Sequence, residues 1–241
     1  MSPPSVRSTV EGMVRVLAVA DEVVDSVHDP MVRRLRPDLV LAAGDLPWDY
    51  LEFLSSCLDV PVVFVPGNHD PEVVSPHEGF LGLLTGHGMP EPDPRPLGCT
   101  NADGAIVDVR GLRIAGLGGS LRYNNGPNQY SQAQLARRAG RLVKQAGKRG
   151  GPVDVLLTHA PPRGLGDEDD PPHRGFDALH DVLARLRPTW HLHGHIHPYG
   201  MARPDRQVGP TTVRNVVPYR VLEIEPRSAD GDPVAAERKG A

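Results

Sequence analysis

Short apolar runs recur along this chain, and most of them end on a polar or acidic residue at the point where the backbone must turn. Residues 14–20 form a continuous β-prone run that stops at Asp21-Glu22. Residues 31–35 read as a short helix closed by Pro37, and the apolar run 39–43 ends on Gly44-Asp45. A helix is expected from about residue 48 to 58, followed by the buried strand Val62-Val63-Phe64-Val65 and the polar turn Pro66-Gly67-Asn68-His69-Asp70. Strand, helix, strand, helix, strand predicts an α/β protein whose sheet is flanked by helices, with its chemistry at the strand ends.

The pattern fades over residues 71–103, a Pro-, Gly- and acid-rich stretch whose position beside the polar turn suggests a lid. Residues 105–109 and 112–117 flank Arg110-Gly111 as a β-hairpin, and 118–131 is an Asn/Gly-rich loop holding Arg122, Tyr123, Asn124 and Asn125. Ser131 with Gln134 three residues later marks a capping box for a helix to about residue 146. A strand at 153–157 leads into Thr158-His159, and the acidic run 167–170 reads as solvated loop. Arg174 precedes a helix expected over 175–186, whose N-terminus suits an anion. Residues 190–193 form a strand before Gly194-His195-Ile196-His197, and 211–216 with 219–225 close the sheet. One domain over residues 13–225 is expected, with a loose arm at 1–12 and a disordered tail at 226–241.

Composition adds exclusions. With 39% hydrophobic and 23% charged residues the 241-residue chain is an ordinary globular protein. A net charge of −4 gives no electrostatic reason to expect duplex nucleic acid or an anionic membrane as partner. Cys57 and Cys99 are too few for a disulfide framework or a thiolate metal site. No apolar run reaches the length of a membrane span and residues 1–12 lack signal-peptide character, so a cytoplasmic protein is expected.

Asp21, Asp45, Asn68, His159, His195 and His197 are hard or borderline ligands at or just beyond strand ends, a mixture suited to divalent Mn, Fe, Zn or Mg. Each also has a plainer reading. Either aspartate can cap a helix, His159 can be a core histidine, and His191, His193, His195 and His197 can be one face of a strand.

In order and type, Asp21, Gly44-Asp45, Gly67-Asn68-His69-Asp70, Thr158-His159 and Gly194-His195-Ile196-His197 resemble the motifs of the calcineurin-like metallophosphoesterases. The resemblance runs from about residue 15 to 225 and implies a four-layer α/β/β/α sandwich of two mixed sheets with two divalent metal ions. It further implies Asp45 as the bridging ligand, Asp21 and His197 on the first metal, and Asn68, His159 and His195 on the second. His69 stands outside the coordination shell as a catalytic acid, with Asp70 orienting it. The family's first motif is Asp-x-His, whereas this chain has Asp21-Glu22-Val23, so the first site is depleted by one imidazole. The activity implied is hydrolysis of a small, cyclic-nucleotide-like phosphodiester by metal-bound hydroxide, with Arg122, Asn124, His173 and Arg174 as candidate substrate contacts. The class III cyclic-nucleotide phosphodiesterases and the brain-type metallophosphoesterase-domain proteins are the branches it resembles. The competing expectation is a weakly active or non-catalytic metal- or nucleotide-binding protein.

Overall fold

A computed structural model describes residues 12–72, 96–200 and 203–227. The expected arm to residue 11, most of the expected lid (73–95) and the tail from 228 lie outside the described residues. In chain order the strands are β1 (Val14–Val19), β2 (Leu39–Ala42), β3 (Val62–Phe64), β4 (Cys99–Asn101), β5 (Ile106–Val109), β6 (Leu112–Leu117), β7 (Ser120–Leu121), β8 (Gln129–Tyr130), β9 (Val155–Thr158), β10 (Trp190–His193), β11 (Arg206–Val208), β12 (Thr211–Asn215) and β13 (Tyr219–Ile224). The helices are α1 (Trp48–Leu58), α2 (Gln132–Arg149) and α3 (Ala178–Leu186).

Two mixed sheets result, in the orders β13-β1-β2-β3-β4 and β11-β12-β10-β9-β6-β5. Their central strands run parallel and are buried on both faces, which is why they read as continuous apolar runs. Alternate residues divide between two cores. Val16, Ala18, Leu39 and Leu41 face inward onto Ile114, Val155, Leu157 and Leu192 of the second sheet. Leu17, Val19, Val40 and Ala42 face outward onto Tyr50, Leu51 and Leu54 of α1. Behind the second sheet, Ala115, Leu117 and Leu156 pack on Leu135 and Leu142 of α2 and on Val182 and Leu183 of α3. The expected α/β/β/α sandwich is therefore the observed architecture, with each buried Leu or Val contributing on the order of 1.5–3 kcal/mol.

The capping box forms as expected: Ser131 Oγ accepts from Gln134 N at 3.2 Å, and Gln134 Oε1 accepts from Ser131 N at 2.8 Å. Elsewhere the structure departs from the sequence pattern. Within the segment expected to be a lid, Cys99–Asn101 extends the first sheet as β4, held by parallel pairing with β3. The strands at 211–215 and 219–224 do not close one sheet. β12 joins the second, while β13 crosses to the first and pairs antiparallel with β1. The helix expected from 175 begins at Ala178, so Arg174 ends a 3-10 turn over Pro171–His173 instead of standing at a helix N-terminus. Past the last strand, Arg227 N still donates to Asp154 Oδ1 at 2.7 Å. Among the described residues no helix is long and apolar enough to cross a membrane.

Candidate metal centre

The C-terminal ends of β1, β2, β3, β9 and β10 meet at one edge of the sandwich, and sharp turns there aim polar side chains at one point. Asp21, Asp45 and His195 take left-handed backbone conformations, with φ of 62°, 56° and 69°. Non-glycine residues adopt this region at a cost and gather in it at functional sites. Glycines let the turns touch. A Cβ on Gly67 would lie 2.0 Å from Asp45 Oδ1, one on Gly44 2.7 Å from His159 Nδ1, and one on Gly194 2.3 Å from Asp21 Oδ2.

Asp21, Asp45, His159 and His195 each present a ligand-type atom, all within 4.8 Å of one another. His159 Nε2 lies 3.2 Å from Asp45 Oδ2 and 3.1 Å from Asn68 Oδ1. Its Nδ1 donates to the Ala43 carbonyl at 2.7 Å, which fixes the tautomer and turns Nε2 toward the site. His195 Nε2 donates to the Pro172 carbonyl at 2.7 Å, leaving Nδ1 for the centre. Asp21 Oδ2 accepts from His195 N at 2.9 Å, tying the first and last strand ends together.

The electrostatics are those of a charged cluster withdrawn from water. Burial pushes the Asp21 carboxyl up to about 6. Burial acts in the same sense on Asp45, but the adjoining His159 outweighs it and holds Asp45 at about 2. Burial would lower His159, yet the charge and hydrogen bond of Asp45 raise it to about 10. His195 is pushed down to about 3 by burial and by the positive His159. Two carboxylates, two imidazoles with one ring nitrogen already committed to a carbonyl, and an amide oxygen make a donor set that fits a hard or borderline divalent cation.

The remaining predicted residues are placed differently. His197 lies outside this cluster, its Nδ1 2.7 Å from Glu22 Oε1, although its charge still acts on Asp21. Val23 is 39% exposed, an apolar side chain where the resemblance expects an imidazole. His69 is exposed, with its backbone N–H on Asp45 Oδ1 at 2.7 Å. Asp70, expected to orient His69, also holds the turns. Its Oδ2 accepts from Gly67 N at 2.7 Å and Asp45 N at 2.9 Å, because two buried amides of the turns need an acceptor there.

Arg122 donates to the Gln129 carbonyl at 3.1 Å, and Asn124 Oδ1 is taken by Gly126 N and Gln129 Nε2. Arg174 donates to the Asp169 carbonyl, and His173 Nδ1 lies 2.8 Å from Asp170 Oδ2. His173 stands beside the centre, its ring 5.4 Å from that of His195.

The Asn/Gly-rich loop carries residues that sequence reasoning missed. Asn128 Nδ2 donates to the carbonyls of Gly67 at 3.0 Å and Asp70 at 2.9 Å, and Gly119 N donates to Pro66 O, locking the loop to the polar turn. Gln129 Oε1 accepts from the backbone amides of Tyr123 and Asn124, each at 3.1 Å. Tyr123 Oη thereby meets Asn68 Nδ2 at 3.3 Å, an arrangement that directs Asn68 Oδ1 toward His159. The only trace of this in the sequence is a tyrosine within a loop of turn-formers. Tyr123→Phe is expected to weaken manganese binding by about 10-fold, as loss of such outer partners does, with the melting temperature little changed. Calorimetric titration with manganese checks it.

The family model described as calcineurin-like phosphoesterase matches residues 15–199. An uncharacterized protein of Haemophilus influenzae is 25% identical over 225 residues, covering 83% of this chain and 85% of that one. The UPF0046 protein T07D4.2 of Caenorhabditis elegans is 34% identical over 94 residues, and the lariat debranching enzyme of Caenorhabditis briggsae 27% identical over 173. This chain spans only 22% and 32% of the length of those two proteins. The crystal structure of TT1561 of Thermus thermophilus superposes with a TM-score of 0.54 at 18% identity over 83% of this chain and 88% of that one, a likeness of fold. With the match spanning most of the described domain, and a cluster at the strand ends fit for the divalent ions this family uses, the chain belongs to the calcineurin-like phosphoesterase family.

Proposed function

We propose that the protein is a metal-dependent phosphodiesterase acting on a small, cyclic-nucleotide-like phosphodiester, with manganese the first cation to test. The observation that carries this reading is the placement of His69. It is exposed beside the cluster of half-buried Asp21 and Asp45 with buried His159 and His195, and its backbone is pinned to Asp45 by the 2.7 Å hydrogen bond. An accessible imidazole at the mouth of a cation site suits proton transfer to a departing alkoxide, and a site made only for binding has no use for it.

Asp21, Asp45, Asn68, His159 and His195 would hold the divalent ions, with His197 joining Asp21 once it leaves its 2.7 Å pairing with Glu22. When bound, divalent ions polarise phosphoryl oxygens and lower the pKa of water. The chain's own contributions are orientation and protonation. Ala43 and Pro172 hold the two imidazoles in their tautomers, Tyr123 directs the Asn68 amide, and His69 carries the proton for the leaving group. His173, beside His195, is assigned to the substrate side; Arg122, Asn124 and Arg174, each hydrogen-bonded within its own loop, are the next candidates there.

Val23 favours a second reading, in which the depleted first position leaves a binding protein without turnover. One experiment separates the two. Manganese-loaded protein is assayed against bis(p-nitrophenyl) phosphate and p-nitrophenyl phosphate, alongside His69→Ala. The enzyme reading expects preference for the diester and a loss of about 10²–10⁴-fold in kcat for the variant, with manganese content unchanged. Metal-loaded protein that cleaves neither ester supports the binding reading instead.

A further inference from the structure

Among the described residues two buried side-chain atoms have no hydrogen-bond partner, Gln145 Oε1 and His191 Nδ1. His191 belongs to β10, the neighbour of the strand that ends at Thr158. It is wholly buried, and its register partners Leu156 of β9 and Val213 of β12 belong to the apolar core behind the second sheet. An imidazole is a costly occupant of such a place, whereas an aliphatic side chain would leave no polar atom unsatisfied. The ring makes one hydrogen bond among the described residues, between Nε2 and Thr158 Oγ1 at 2.8 Å.

A count of hydrogens fixes the direction of that bond. Thr158 Oγ1 also lies 2.7 Å from the Ala160 carbonyl, which can only accept. The single hydroxyl hydrogen therefore goes to Ala160, and the hydroxyl accepts from His191 Nε2–H. The opposite tautomer would leave a buried N–H without an acceptor and would draw the Thr158 hydrogen away from Ala160. Burial and the neighbouring His193 and His180 lower the pKa of the His191 ring well below the usual histidine value, so the ring stays neutral.

This relay ends on the turn that presents His159. Thr158 and Ala160 flank that residue, and the hydrogen bond between them closes a small ring with His159 in the middle. Thr158 is buried in register with Leu117 on the helix side of the sheet. The His159 imidazole reaches the other way, to the Ala43 carbonyl at 2.7 Å, Asn68 Oδ1 at 3.1 Å and Asp45 Oδ2 at 3.2 Å. A buried hydroxyl that accepts and donates at once holds its place more firmly than one with a single partner. We propose that His191 is a positioning residue of the metal centre: its Nε2–H, acting through the Thr158 hydroxyl, fixes the turn that holds the His159 imidazole toward Asp45 and Asn68. The unsatisfied Nδ1 is what that role costs. The proposal rests on the assignment of His159 to the cation site and does not depend on which phosphoester is cleaved.

The test is calorimetric titration of manganese into the wild type and four variants, with the melting temperature of each metal-free protein measured alongside. His191→Leu removes the donor and the orphaned nitrogen together. It is expected to bind manganese about 10-fold more weakly, as loss of a ligand's outer partner does, while the melting temperature holds or rises because a buried unsatisfied atom is gone. His191→Gln, whose amide N–H can donate to Thr158, is expected to return most of the affinity. Thr158→Val keeps the shape without the hydroxyl and is expected to match the loss in His191→Leu, and it decides the matter if that variant does not fold. Unchanged manganese affinity in His191→Leu and Thr158→Val overturns the proposal, and a lowered melting temperature with that affinity intact makes His191 a structural residue only. His159→Ala separates this proposal from the reading beneath it. If it binds manganese as the wild type does, the assignment of His159 fails and the positioning role with it. If it loses manganese while His191→Leu keeps it, the metal centre stands and only the positioning role falls.

Discussion

Replacing Asp45 with asparagine is expected to abolish metal-dependent phosphoester hydrolysis and to strip the protein of bound metal while leaving it folded. Asp45 is the hub of the cluster. Its Oδ1 accepts from His69 N, its Oδ2 faces His159 Nε2, and its backbone N–H is held by Asp70. An amide keeps the size and one acceptor oxygen but removes the charge that makes a hard anionic ligand. Metal affinity should then fall by more than the roughly 10–100-fold that losing an outer-shell partner costs. A second signature separates this effect from general damage. In metal-free protein the Asp45 carboxylate is the chief reason His159 titrates near 10 in spite of burial, so in the variant the His159 pKa should drop. Histidine resonances followed by NMR through a pH titration read that drop directly, and elemental analysis reads the metal. An Asp45→Asn variant that retained full metal content and an unmoved His159 would remove Asp45 from the centre.

Gly67→Ala should be nearly as damaging, for a steric reason. The added methyl would stand 2.0 Å from Asp45 Oδ1, 2.5 Å from Asp45 Cγ and 2.6 Å from Asp45 N. None of these atoms is the free end of a flexible chain, since the carboxylate is held by His69 N and His159 and the backbone by Asp70. Either the polar turn lifts away from β2 or the carboxylate leaves the cluster. The expected outcome is a stability loss of about 1–3 kcal/mol from overpacking, read as a lowered melting temperature, together with loss of manganese. Gly140→Ala is the control. It lies within α2 with nothing within 4 Å of its added Cβ, and the same substitution there should raise stability by about 0.5–1 kcal/mol.

Much of this architecture was legible because local chemistry and tertiary structure agree. The runs at 14–20, 39–43 and 62–65 are apolar at every position but Arg15 because both faces of β1, β2 and β3 are buried, and each run ends where a polar residue is needed. The Ser131–Gln134 capping box was readable because its hydrogen bonds span three residues. The limits were also physical. β4 is a half-exposed three-residue strand with no hydrophobic alternation of its own, and pairing with β3 alone makes it a strand. The histidines at 191, 193, 195 and 197 alternate as if they shared one face. The strand nevertheless ends at His193, and the turn through Gly194, with His195 at φ 69°, swings His195 toward Asp21 while His191 and His193 stay on the far side of the sheet.

By itself, then, the sequence determined the layered class of the fold and singled out Asp21, Asp45, His159 and His195 as candidate cation ligands, since these follow from periodicity and from which residues stand at strand ends. Only the tertiary structure decided how that set is divided and what supports it. His197 falls to Glu22, Asp70 to two backbone amides, and Tyr123 reaches Asn68 from a loop 55 residues away. These assignments depend on which buried donors and acceptors are left unpaired once distant segments pack, and no local pattern in the chain encodes that accounting.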